Sequence, residues 1–510
     1  MPTDLSLTVI VFAPLVGAMI LLAMPVRTDL HRFRIRTTAL FTTAVPLLVT
    51  LFDLMGAVGN AGQGSIPQPA IDSPWLRGFF FQLDYHMGAD GLNLLLLFAA
   101  TAVFPAIVLA SWRHRERYRT YFALLLLVEV GITGAFATQD LGLFIIFFWW
   151  PVVPLALLLA LSDTPGSRPA ARRLLVVQTL SGAALIAAVL LLLRTTGDTT
   201  LNFSDLSTIK AASGAPGLVV ETLFLAALVA RMGAFPLHRW FVDGVSVAST
   251  PVAMLLAVSS LPVGGYGLVR IALAMEPQGA LQLVLPLLAI ALATLFWGAL
   301  SARAGTQFRR VAAGALMAVG GLVILGAAVF SETSLSGALY LCFAYLFSAP
   351  LLLLVVGSIC DRALLSQLLP LAGAASRAPR LRLFFALAVA SLLGIPLLVG
   401  FPGILEIVVA GLVAHRYITA LALLGLLILT AAFWRVGQQV FSAHPDNAEV
   451  PDVPDSRGSE LYSAWILAAA AVLFGIFAGY FVPYTVQGTA LVSARISAAA
   501  PAIPAHPKAK

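Results

Sequence analysis

Long apolar stretches alternate with short polar connections along nearly the whole chain. A sliding window marks about fourteen runs, near residues 7–25, 37–58, 90–111, 119–138, 141–161, 172–194, 218–238, 248–272, 281–301, 311–330, 336–358, 383–413, 417–441 and 461–485. Most are close to the ~20 residues that cross a bilayer as a helix. The pattern predicts an all-α polytopic membrane protein with about 14 transmembrane helices. Two runs carry interruptions. Run 7 holds Arg231 in mid-span and Pro236 near its end, and run 12, too long for one straight helix, contains Pro396, Gly400 and Pro402. Proline removes a helix donor and clashes with the preceding turn, so helices 7 and 12 are both expected to be broken. A broken helix beside an intramembrane charge recurs in ion-handling membrane proteins. The two breaks lie five spans apart, and an odd offset turns the second copy upside down. Two inverted five-helix repeats are therefore expected, spans 4–8 and 9–13.

The polar connections test this count. Arginines 27, 32, 34 and 36 follow span 1; 113, 115, 117 and 119 follow span 3; 168, 172 and 173 follow span 5; 303, 309 and 310 follow span 9; and 362, 377, 380 and 382 follow span 11. The intervening loops hold Asp72, Asp84, Asp140, Asp198, Asp205, Glu276 and Glu332. By the positive-inside rule the arginine loops are cytoplasmic and both termini are outside. The expected layout is residues 1–118 for helices 1–3 with an outer loop, 119–272 for the first repeat, 281–442 for the inverted second repeat, and 443–510 for a cytoplasmic loop, helix 14 and a flexible tail. Among the longer connections, 59–89 is expected to form a hairpin over the bundle and 195–217 an outer loop or short amphipathic helix. The tail 486–510, rich in Ala and Pro, is expected to be loosely ordered.

Composition agrees. Of 510 residues 60% are hydrophobic and 10% charged, with a mean hydropathy of +0.97, whereas soluble domains carry about 25% charged residues. The net charge of +7 reflects arginines in short cytoplasmic loops rather than nucleic-acid binding. Cys342 and Cys360 are 18 residues apart in or at the end of one apolar run, too far along a helix for a disulfide. Run 7–25 lacks a basic leader and a cleavage site and is expected to be retained as a span. No phosphate loop, metal spacing or nucleophile–base arrangement stands out, so no nicotinamide, flavin, iron–sulfur or metal cofactor is expected in this chain.

Several segments resemble the antiporter-like subunit M of respiratory complex I. They are GADGLNLLLLFAATAVFPAIVLASW (88–112), DLGLFIIFFWWPVVPLALLLA (140–160), FPLHRWFVDG (235–244), GGYGLVRIAL (264–273) and VGSICDR (356–362). The C-terminal SELYSAWILAAAAVLFGIFAGYFVP sits where that subunit's last span falls. The resemblance covers nearly the whole chain and implies fourteen helices, inverted repeats and broken spans 7 and 12. It further implies a place among other membrane subunits of a proton-translocating complex, in a bacterial inner membrane, with quinone reduced by a neighbouring module.

The chain departs from that pattern where the family carries its ionisable groups. Trp149 stands at the span 5 glutamate position, Arg231 at the span 7 lysine, and Pro262 at the span 8 lysine. Val319 and Tyr345 replace histidines, and Ile404 takes the span 12 glutamate position, with Glu406 two residues on. All three lysines, Lys210, Lys508 and Lys510, lie outside the spans. Lysine can lose its proton when buried and arginine effectively cannot, so a relay of switching amines has no amine here.

Four residues remain as proton-path or charge-pair candidates: Glu129, Arg231, His238 and Glu406. Glu129, deep in span 4, is expected to face Arg231 as a charge pair, against a neutral acid bonded to a nearby carbonyl. Arg231 serves as a fixed charge that orders water or anchors span 7. His238 titrates near neutrality, although helix breaking and packing also account for it. Glu406 is the best acid of the second repeat, with pairing to a neighbour or to Arg416 as the alternative. Asp90 is expected to cap a helix and Asp243 to mark a turn, while Trp149 and Trp150 read as packing groups. The expected function is a membrane subunit of an NADH-quinone oxidoreductase-type complex with a degenerate proton path. The alternatives are an antiporter-like component of an ion or inorganic-carbon uptake complex, or a structural subunit that moves nothing.

Overall fold

The computed structural model describes residues 5–26, 29–60, 70–77, 82–114, 116–162, 164–197, 199–203, 215–442 and 453–499. Thirteen of its helices are long and apolar enough to cross a membrane. One of them, Gly400–Phe441, has 42 residues and would extend about 63 Å if straight, twice a bilayer's hydrocarbon thickness. His415 sits inside it with φ −140° and ψ 59°; the part before that bend completes the crossing that Pro379–Leu392 begins, and the part after it is a further crossing, which gives fourteen. The chain is therefore an all-α, multi-pass membrane protein.

Burial grades the crossings. The most apolar windows of Thr250–Met275, Phe308–Ala328 and Glu332–Ala363 are wholly enclosed by protein, while those of Leu30–Ala57 and Ser459–Ile476 are only 28% buried. With lipid as the surrounding solvent, exposed Phe41, Phe52 and Trp434 are ordinary bilayer-facing groups rather than defects.

Both expected breaks are present, and they share one backbone motif. Helix Ala215–Met232 stops at Gly233, whose φ is +71°; helix Pro379–Leu392 stops just before Gly394, with φ +73°. At the first stop, Gly233 N–H donates to Ala230 O at 3.2 Å and Ala234 N–H to Val229 O at 3.3 Å. At the second, Gly394 N–H donates to Ser391 O at 3.2 Å and Ile395 N–H to Ala390 O at 2.9 Å. This is the Schellman pattern, which needs a residue in the left-handed region and so favours glycine. In that register Arg231 of the first break corresponds to Leu392 of the second. The chain resumes as helices Arg239–Val247 and Gly400–Phe441.

On the face that carries the acidic loops, strands β1 (Ala70–Arg77) and β2 (Gln82–Gly88) form the expected antiparallel hairpin. It is fastened to the bundle by Gln139 N–H donating to His86 O at 2.9 Å and by a 2.7 Å contact between Asn202 Nδ2 and His86 Nδ1. The expected structure of 204–214 lies outside the described residues.

Two local expectations fail. Residues 486–499 are not a loose tail but part of helix Ala478–Ala499, which docks on the acidic-loop face. There Gly488 packs so close to Gly91 that a Cβ on either would overlap the other's backbone. Asp243 is not in a turn but inside helix Arg239–Val247, paired with Arg173 and, at 3.7 Å, with Arg310. Asp90 lies in the turn before helix Leu94–Ala110, whose N-cap residue is Asn93, and its carboxylate accepts from Leu92 N–H at 2.9 Å. It also binds the guanidinium of Arg270, which in turn donates to Gln139. Arg270 lies in a stretch of wide π-type turns, Leu268–Ala272, at the end of span 8; such turns favour functional or strained positions.

Candidate functional site

Arg231 ends the first half of span 7 and is 2% exposed. Its Nε donates to Ser259 O at 3.1 Å, its Nη1 donates to Gln178 Oε1 at 3.1 Å, and its guanidinium lies 4.8 Å from the centre of the Phe148 ring. Helices Ser167–Thr196, Thr250–Gly267 and Leu141–Trp149 supply those three partners. All are uncharged. Arg231 Nη2 and Gln178 Nε2 are buried without a partner.

The expected Glu129–Arg231 pair does not form. Glu129 is fully buried in helix Tyr118–Ala137, and both of its carboxylate oxygens lack hydrogen-bond partners. The sequence places both groups deep in apolar runs but does not fix the rotation of each helix about its axis. In helices that are apolar all round, no polar face reveals which way a lone charge points.

The broken segment is held by side chains from neighbouring helices. Trp240 Nε1 donates to Ala230 O at 3.0 Å, a second hydrogen bond on the carbonyl that Gly233 N–H already meets. Phe235 N–H donates to Thr294 Oγ1 of helix Val284–Ala304 at 3.1 Å. His238 is half-buried against the rings of Phe235 and Trp297, and its Nδ1 has no partner.

Glu406 lies one turn beyond the second break. Its carboxyl contacts Ser336, and its Oε2 is unpartnered. Ser336 Oγ is 2.8 Å from Thr485 Oγ1, so hydroxyls lead from Glu406 into the docked terminal helix. Arg416 forms a cation–π contact with Tyr417.

The departed positions supply no replacement amine or carboxylate. Trp149 donates to Gln178 O at 3.3 Å; Pro262 and Val319 are buried in helix interiors; Ile404 packs against Gly394. Tyr345 is 1% exposed and its hydroxyl has no partner. Among the described residues no group of three or more His, Cys, Asp or Glu side chains is placed to hold a metal ion.

Sequence reasoning missed several groups. Gln178, the neutral partner of Arg231, is visible as the lone amide in span 6. Glu221 and Glu276 are both fully buried, near one another where spans 7 and 8 reach the acidic-loop face. Glu221 was hidden because it opens an otherwise apolar run.

Fourteen crossings, two of them stopped midway by matching turns and one stop carrying a buried cation, define a membrane bundle of the ion-handling, antiporter-like class. Residues 138–430 match the family described as NADH:quinone oxidoreductase/Mrp antiporter, transmembrane, and the chain belongs to that family. It is 28% identical over 459 residues to NADH-quinone oxidoreductase subunit M of Escherichia coli, spanning 87% of this chain and 89% of that one. It is also 28% identical over 319 residues to NAD(P)H-quinone oxidoreductase chain 4 1 of Picosynechococcus sp., covering 62% of this chain but only 60% of that relative. The fold matches a chain of respiratory complex I from Thermus thermophilus with bound NADH, with a TM-score of 0.85 at 24% identity, over 97% of this chain and 100% of that one.

Proposed function

We propose that this chain is a membrane subunit of a proton-translocating NADH:quinone oxidoreductase-type complex, in which only the second half of the inherited path titrates. Family membership across both breaks supports the subunit reading. The carrying observation is at Arg231: the first break holds a permanently charged guanidinium bonded only to neutral groups. A guanidinium does not release its proton, so Arg231 cannot pass a proton across the first half. Glu406, with Ser336 and Thr485 beside it, is the titrating group of the second half.

On this reading residues 119–272 and 281–442 are the two inverted units. The arginine loops face the cytoplasm of a bacterial cell, both termini lie on the outer side, and neighbouring subunits carry the redox centres and quinone. The test is quinone-reduction-driven proton uptake by the intact complex in proteoliposomes. Glu406→Gln is expected to abolish this chain's share of the flux, while Glu129→Gln leaves it unchanged. Undiminished flux in Glu406→Gln, with the complex still assembled, would refute the path and favour a spacer subunit. Purification without redox subunits would refute the respiratory assignment and favour an uptake complex.

A further inference from the structure

The surroundings of Arg231 pose a problem that the proposed function does not resolve. An ion removed from water costs several kcal/mol unless an opposite charge compensates it. Among the described residues no carboxylate forms an ion pair with the buried Arg231, and the one acid expected to serve, Glu129, has neither oxygen hydrogen-bonded. The Phe148 ring face offers a partial negative potential but no formal charge.

The hydrogen-bond inventory indicates where a counter-charge would sit. Arg231 has two of its three nitrogens bonded, leaving Nη2 free and buried. Gln178 has its Oε1 committed to Arg231, leaving Nε2 free and buried. Flipping the amide cannot remove that orphan, because it would set Nε2 against Nη1, donor against donor. Two unsatisfied donors therefore belong to two groups already bonded to each other, and one of them carries a full positive charge. Such a pair calls for a small acceptor with negative charge. Water would satisfy the donors and leave the cation uncompensated.

We infer that Arg231 Nη2 and Gln178 Nε2 form a binding site for one small monovalent anion, of the chloride class, beside the break in span 7. The anion neutralises Arg231 without a protein carboxylate, which lets the guanidinium stay deep in the bundle. Phe148 covers the opposite face of the cation. Leu392, at the matching position of the second break, offers nothing to such a ligand.

The experiment uses the purified full chain in detergent, with sodium chloride titrated against sodium gluconate at constant ionic strength. Thermal unfolding is expected to rise saturably with chloride in the wild-type chain and not in Arg231→Met. Gln178→Leu keeps the charge and removes one donor, so its half-saturating chloride concentration should rise about tenfold, the loss of one charge-assisted bond. That variant also decides the matter if Arg231→Met does not fold. Bromide soaked in place of chloride should give an anomalous peak within hydrogen-bond distance of Nη2 and Nε2. Chloride dependence absent from the wild type, identical in wild type and Gln178→Leu, or accompanied by bromide only at surface positions, overturns the site.

Discussion

Replacing Gly233 by alanine tests whether the break in span 7 is set by its backbone. The φ of +71° places a Cβ in the left-handed region, which costs an L-residue about 1–2 kcal/mol. A Cβ there would also lie 2.7 Å from Phe241 Cβ and 3.0 Å from Phe241 Cγ. Relieving that overlap moves the start of helix Arg239–Val247, with an overpacking cost of about 1–3 kcal/mol. Gly197 is the internal control: its φ is +74°, also at a helix end, but no heavy atom lies within 4 Å of the added Cβ. Gly197→Ala should lose only the conformational part, about 1–2 kcal/mol, and Gly233→Ala about 2–5 kcal/mol. Thermal unfolding of the two variants in the same detergent ranks them directly. Equal destabilisation would mean that Phe241 yields freely and that the break is not held by this contact.

Three further outcomes follow from other parts of the bundle. Asp140, in the loop before span 5, has its carboxyl raised from 3.8 to about 6 by burial, against the opposing pull of N–H bonds from Leu143, Asp84 and Gly142. A raised carboxyl stabilises the fold below its ordinary value and loses that contribution as pH rises through about 6. Wild type should therefore be more stable at pH 5 than at pH 7.5 by about 1.4 kcal/mol, and Asp140→Asn should flatten that slope; an unchanged slope refutes it. Trp240→Phe should cost about 0.5–1.5 kcal/mol by removing one of the two hydrogen bonds on the Ala230 carbonyl and leaving that of Gly233, read by thermal unfolding, and a silent substitution would show that the indole does not hold the break. Gly488→Val should push helix Ala478–Ala499 off Gly91, since even a Cβ would lie 2.5 Å from Gly91 C; limited proteolysis should then cut near residue 478, and protection equal to wild type would count against the docking.

The architecture was legible because the physics that sets it is one-dimensional. Run length, proline position and the alternation of arginine loops each follow from crossing a bilayer, and they located both breaks and the hairpin. What required coordinates was azimuth. Glu129 and Arg231 sit at matching depths in the sequence, yet each helix is turned so that Gln178, not Glu129, meets the guanidinium. The terminal helix was missed for a different reason: its hydropathy is too low for a span, and only the glycine-to-glycine contact with residue 91 reveals a docking site. Arg270 escaped notice because Asp90 and Gln139, which hold it, are 180 and 131 residues away in the chain.

That terminal helix also bears on how the protein is made. Gly91 and Asp90 leave the ribosome well before Gly488, which closes over this region, and Arg495, which bonds the Ala274 carbonyl. The early crossings must therefore wait in the bilayer with part of one face uncovered until helix Ala478–Ala499 has been made. A chain stopped short of residue 478 would insert its helices and still lack this seal.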